Sequence, residues 1–292
     1  MAIRKHIRNP LEWTAEHVAG VHMPFERPAS SQVSGETPIF ASAPEIRRIR
    51  TDDLVQALSK GWDDLGAYRT DVIFICVIYP IAGLILSRLA AGYDMLPLVF
   101  PLVSGFALVG PAAAVGLYEI SRRREEGRDI SWVDAWKVVR SPAFGSILGL
   151  GLLLLGIFLL WLGAAYWIYL VTLGPEPPVS IGAFISDVFT TVAGWTMIVL
   201  GVGVGFLFAV LVLSISVISF PLLLDRDVGV YAAIDASIRS VVANPGPMAV
   251  WGMIVAGGLV LGSIPALLGL IVVMPVLGHA TWHLYRKVVA AP

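Results

Sequence analysis

The chain has 292 residues, 57% of them hydrophobic and only 14% charged, with a mean hydropathy of +0.80. Soluble domains carry roughly 25% charged residues, so this composition excludes an ordinary soluble enzyme and a disordered chain. A net charge of −1 supplies no field for a polyanion, which excludes a nucleic-acid binder. What remains is a polytopic, all-α membrane protein.

Residues 1–45 read as a cytoplasmic extension. Asn9, Pro10 and Glu12 form a helix start, with Asn as cap and Pro at the first helical position. From Met23 to Pro44 the composition turns to Pro, Ser, Gly and Thr without periodicity, as in a flexible linker. Neither an apolar core nor a cleavage site follows the basic start, so the first span is expected to serve as its own insertion signal. Residues 46–70 read as an amphipathic surface helix: Leu54, Leu58, Trp62 and Leu65 recur at helical spacing. It would lie on the membrane surface or dock onto the protein's own bundle.

Residues 71–288 form the membrane domain. A span needs about 20 apolar residues, or about 17 at the short end. Candidate spans are 72–86 (to about 90 if Arg88 snorkels), 96–118, 144–167 and 194–223, with 181–191 on the outer surface. The uncharged run 248–277 reads as one long span or two short ones. Basic residues decide between them, because short cytoplasmic loops are enriched in Lys and Arg. Arg47, Arg48, Arg50, Lys60 and Arg69 precede the first span, and Arg122, Arg123, Arg124, Arg128, Lys137 and Arg140 separate the second from the third. Arg226 and Arg239 follow the fourth, and Arg286 and Lys287 follow the last. Six spans with both termini in the cytoplasm put all of these on one side. That arrangement requires a tight outer turn near Ser263–Pro265, between spans 248–264 and 266–285.

A weak internal repeat accompanies this pattern. The segments 53–58, 132–136 and 231–236 resemble one another, and each leads into an odd-numbered span. The implied unit is an amphipathic helix plus a two-span hairpin, present three times.

Chemistry-bearing residues are sparse. Asp71, Asp94, Glu119 and Asp187 fall at span ends, and no ionisable carboxylate or cation falls at mid-depth. This argues against a carboxylate-coupled transporter. The lone cysteine, Cys76, can form no disulfide within the chain and no cysteine-based metal site. His279 and His283 lie four apart, on one helix face. They are the candidate metal ligands, with an interfacial anchor as the plainer reading. Bis-histidine haem ligation needs imidazoles on opposite faces of the haem, which one helix cannot provide, and no cofactor is expected. Glycines at 201, 203 and 205, at 258 and 262, and at 149, 151 and 156 allow close helix approach. Pro111 and Pro275 are the expected interior kinks. Trp161, Tyr166, Trp167 and Tyr169 read as an interfacial aromatic belt.

Several motifs together carry a family resemblance. They are Ile46-Arg47-Arg48-Ile49 with Gly61-Trp62-Asp63-Asp64-Leu65, and Gly110-Pro111 through Gly116-Leu117-Tyr118-Glu119-Ile120-Ser121-Arg122-Arg123. Pro221-Leu222-Leu223-Leu224-Asp225-Arg226-Asp227, Asn244-Pro245 and Gly278-His279-Ala280-Thr281-Trp282-His283-Leu284-Tyr285-Arg286 complete the set. Over about residues 45–288 the chain resembles a bacterial family of integral membrane proteins of unknown function, some of whose members carry the label cytochrome c oxidase subunit I. The resemblance implies a bacterial inner-membrane location and no established activity. That oxidase subunit resembles a twelve-span protein with six histidine ligands on several helices. Two histidines on one helix do not fit it, so the label can mean at most an accessory or assembly partner.

The sequence therefore leads to a non-enzymatic accessory or scaffold subunit embedded in the lipid bilayer. Its partner would be a membrane complex, such as a respiratory one, or a second copy of itself. A small-solute or lipid transporter is the alternative, and metal or haem handling through His279 and His283 is the third reading.

Overall fold

The computed structural model describes residues 44–67, 80–81, 83–85, 88, 95–128 and 138–291. The helix expected after Asn9, nearly all of the linker, Cys76, the repeat segment 132–136 and most of the first span lie outside these residues. Among the described residues every regular element is helical. The one β-type pairing is an isolated antiparallel bridge between Ile46 and Val289.

The amphipathic helix is α1, Thr51–Ala67. The second expected span is divided. A 3-10 turn at Leu96–Leu98 leads into α2, Val99–Ala113, and after a break at Ala114 the chain continues as α3, Val115–Glu125. Pro111 lies in the last turn of α2. It lacks an N–H, and its ring crowds the carbonyl four residues back, which weakens this last turn. A second 3-10 turn, Val138–Arg140, precedes α4, Phe144–Thr172.

Next come α5, Ile181–Thr190, and α6, Val192–Ser216. Ser180 caps α5 by accepting from the Ala183 N–H at 3.1 Å, and Thr191 caps α6 by accepting from Gly194 at 2.9 Å. Such caps satisfy amide groups that a helix start leaves free. The helical run breaks again at Val217 and Ile218 before α7, Ser219–Asp225, which contains Pro221. At this break the Ile218 N–H donates to Ser237 Oγ (3.2 Å) instead of to a carbonyl of its own helix. Ser237 lies on α8, Gly229–Ala243, so α8 holds the bend in place.

The last pair is α9, Pro245–Ser263, and α10, Leu270–Val288. The run 248–285 is thus two helices, joined by the tight turn that the basic residues required. Ala266 and Leu267 have φ of 49° and 67°, a left-handed backbone that is costly for residues with a Cβ. Gly262 and Gly269 close this turn: a Cβ on Gly269 would come within 2.8 Å of the Gly262 Cα. Pro275 sits inside α10, which remains continuous.

Among the described residues, three helical stretches are long and apolar enough to cross a membrane: Phe144–Thr172, Val192–Asp225 and Pro245–Ser263. Leu96–Gly105 and Ile181–Thr190 are shorter apolar helices. Leu150, Leu154 and Ile157 on α4, Ile218 and Phe220 near the α7 bend, and Met248 and Trp251 on α9 fill the core. Lipid is as apolar as leucine, so close packing rather than transfer from water holds these contacts together.

Trp161 belongs to this core and not to an aromatic belt. It is buried between Gly105 and Gly205, meets Phe208 in a tilted ring contact at 5.8 Å, and donates from Nε1 to the Pro101 carbonyl at 2.9 Å. Tyr169 is buried too, with its hydroxyl donating to the Glu176 carbonyl. Tyr166 and Trp167 are exposed, as a belt requires. The GxxxG pair Gly258 and Gly262 packs against Leu270, Val273 and Leu277 of α10, whereas Gly201 and Gly203 meet no neighbour within 4 Å.

Candidate functional site: a buried Asp–Ser–His cluster

The second half of α10 is the hub of the polar interior, and α1 lies along it. The α1 face turned inward is Leu54, Ala57, Gly61, Asp64 and Leu65. This differs from the apolar stripe read from the sequence: Trp62 is 59% exposed, and two small residues take its place at the contact. The reason is steric. A Cβ on Gly61 would stand 2.7 Å from the Ala280 nitrogen and 2.8 Å from the Val276 carbonyl oxygen. Only glycine lets the two backbones come this close.

That approach buries the α1 carboxylate Asp64, and α3 and α10 supply its partners. Ser121 Oγ donates to Asp64 Oδ2 at 2.5 Å, and His283 Nε2 donates to the same oxygen at 2.8 Å. Arg124 donates to Oδ1. His279 is fully buried. Its Nδ1 lies 2.8 Å from Ser121 Oγ and 3.9 Å from Asp64 Oδ2.

The proton positions follow from donor counting. An ionised carboxylate only accepts, so the single Ser121 proton goes to Asp64, and His279 must donate to Ser121 from Nδ1. The chain of donors runs from His279 through Ser121 to Asp64, with His283 and Arg124 arriving from other directions. Burial pushes the Asp64 carboxyl up, but the hydrogen bonds from His283 and Ser121 and the field of the two imidazoles outweigh it. They hold the group below its ordinary value of 3.8.

Further pairs extend the cluster. Lys287 Nζ donates to Asp53 Oδ1 (2.9 Å) and Gln56 Oε1 (2.7 Å), a second tie between α10 and α1. The Arg50 amide and Lys287 together keep Asp53 below its ordinary range. Glu125 accepts from Trp282 Nε1 (3.1 Å) and Arg286 Nε (3.2 Å), and Asp225 accepts from the Tyr285 hydroxyl (2.5 Å). Glu119, also buried, holds Arg122 and Arg123 on its own helix.

A pocket of about 260 Å³ opens over the cluster, lined by Lys60, Asp63, Asp64, Ser121, Arg124, Glu125 and His283. Both Asp64 oxygens are already engaged inside it, so the carboxylate is not a free base. His279 and His283 do share a face, as their spacing indicated, but both rings turn toward Asp64 and Ser121. Among the described residues no group of three His, Cys, Asp or Glu side chains is placed to hold a metal ion. Asp64, Ser121 and Arg124 were not singled out from the sequence as site residues. The available signal was an aspartate at 64 in phase with Leu54, Ala57 and Gly61 on a helix.

No curated protein and no solved structure matches the chain. A family described as predicted integral membrane protein (DUF2189) matches residues 99–225, the stretch from α2 to α7. The match carries that description and not the oxidase label. It includes Ser121 and Arg124, while Asp64, His279 and His283 fall on either side of it. Over this stretch the resemblance seen in the motifs holds, and with its long apolar helices the chain is an all-α, multi-pass integral membrane protein.

Proposed function

We propose that the protein is a non-enzymatic accessory or scaffold subunit of a bacterial inner-membrane complex, with six spans and both termini in the cytoplasm. The observation that supports this best is the saturation of Asp64. Three donors on two helices fill its oxygens and clamp α1 to α3 and α10. A carboxylate used in this way works as a structural fastener, whereas a proton-transfer site needs a lone pair that substrate can reach. The well-filled core and the largely exposed spans, with only 11% of the Val192–Asp225 window buried, suit a protein that offers its sides to lipid or to another membrane protein.

The test is purification of the tagged full chain from its native membrane in mild detergent, followed by native mass spectrometry. A defined hetero-complex, or a homo-oligomer of fixed stoichiometry, is the expected result; respiratory subunits in it would give the oxidase label a physical meaning. A monomer that moves a small solute or lipid across proteoliposomes would overturn the proposal in favour of a transporter.

A further inference from the structure

We propose that Arg47, Arg48 and Arg50 form a binding site for anionic phospholipid headgroups. They lie on the strap 44–50, which ends where α1 begins. The strap is tied at both sides. The Arg47 N–H donates to the Val288 carbonyl (2.7 Å), and the Ala290 N–H donates to the Glu45 carbonyl (3.0 Å). The Ile49 N–H donates to Asn244 Oδ1 (2.8 Å), and Asn244 Nδ2 donates to the Arg47 carbonyl (3.1 Å).

Asn244 immediately precedes Pro245, the first residue of α9, and α9 is one of the helices suited to cross a membrane. A span begins at the boundary between headgroups and acyl chains. The bonds to Asn244 therefore set the strap at headgroup depth.

The charge there is largely unspent. Arg47, Arg48 and Arg50 are exposed; Arg50 lies in the field of Asp53, while among the described residues no salt bridge ties Arg47 or Arg48 to an acid. Elsewhere acids take up the cations: Arg122 and Arg123 go to Glu119, Arg124 to Asp64, Arg128 to Glu126, Arg239 to Asp235 and Lys287 to Asp53. Asp53 is shared between Lys287 and Arg50, and the acids next to the three arginines along the described strap are Glu45 and Asp52, so three guanidinium groups face fewer free carboxylates. Val242 and Val55, on the helices at either side of the strap, are 73% and 65% exposed, as befits residues touching the acyl boundary. Guanidinium groups grip phosphate through paired hydrogen bonds, and basic residues at this depth attract anionic lipid.

The experiment titrates phosphatidylglycerol and phosphatidylcholine into the detergent-purified full chain and counts bound lipid by native mass spectrometry. The wild type is expected to prefer phosphatidylglycerol, and each of R47Q, R48Q and R50Q to lose roughly fivefold of that preference. R48K should restore it, and R128Q, at a paired arginine, should leave it intact. If R47Q or R50Q does not fold, R48Q carries the test, since that side chain is exposed. Equal binding of both lipids by the wild type, an unchanged preference in R48Q, or an equal loss in R128Q would overturn the proposal. So would displacement of the bound lipid by millimolar inorganic phosphate, which would identify a site for soluble anions.

Discussion

Asp64 is the residue on which the polar interior turns. Its side chain is 5% exposed, and an uncompensated charge at such a site is expensive. Replacing it with alanine leaves Arg124, His283 and Ser121 without their acceptor, so D64A should lower stability by about 3–5 kcal/mol, read as thermal unfolding in detergent. D64N keeps the shape but not the charge and should fall between D64A and wild type. The pH dependence has a definite sign. The folded-state carboxyls of Asp64 and Asp53 titrate below their ordinary value of 3.8. Their contribution is therefore complete above that value and lost as pH falls through the lower folded-state values. A melting temperature that drops below about pH 4 in wild type, and drops less steeply in D64N, is the expected profile.

At the scale of elements, two contacts depend on a single small side chain. Gly61 sets the distance between α1 and α10, and the atoms its Cβ would meet, two backbone atoms and the Ala280 Cβ, cannot rotate aside. G61A should therefore cost about 1–3 kcal/mol, and hydrogen exchange should become faster in α1 than in α4. Ser237 on α8 receives the Ile218 N–H at the α6–α7 bend. S237A strands that buried donor and should cost about 1–3 kcal/mol, with faster exchange at Ile218 itself. The helices themselves were legible in the sequence: α4, α6, α9 and the turn before α10 fall where apolar length and basic residues placed them. The face that α1 presents was legible only in part. Leu54 and Leu65 bury as the periodicity predicted, but Trp62 does not, because the close approach runs over Ala57 and Gly61, where side chains are small or absent.

At the scale of the whole molecule, the alternation of basic and uncharged connections predicts a topology that labelling can check. In a C76A background, cysteines at Arg128 and Ala291 should react with a membrane-impermeant maleimide from the same side, and a cysteine at Ser180 from the opposite side. Labelling of positions 128 and 291 from opposite faces would refute an even number of spans between them.

What the sequence by itself determined was membrane class, helical content and the approximate ends of the long spans. These follow from composition and from runs of apolar residues, both local properties of the chain. Only the tertiary structure brought Asp64, Ser121, His279 and His283 together, from positions as far as 219 residues apart. It alone moved Trp161 from the expected belt into the core, because Gly105 and Gly205 leave room for an indole that no single helix could show. Hydropathy records what each residue costs in lipid. It carries no information about which distant donor will meet a buried carboxylate, and that pairing is what fastens α1 to the bundle.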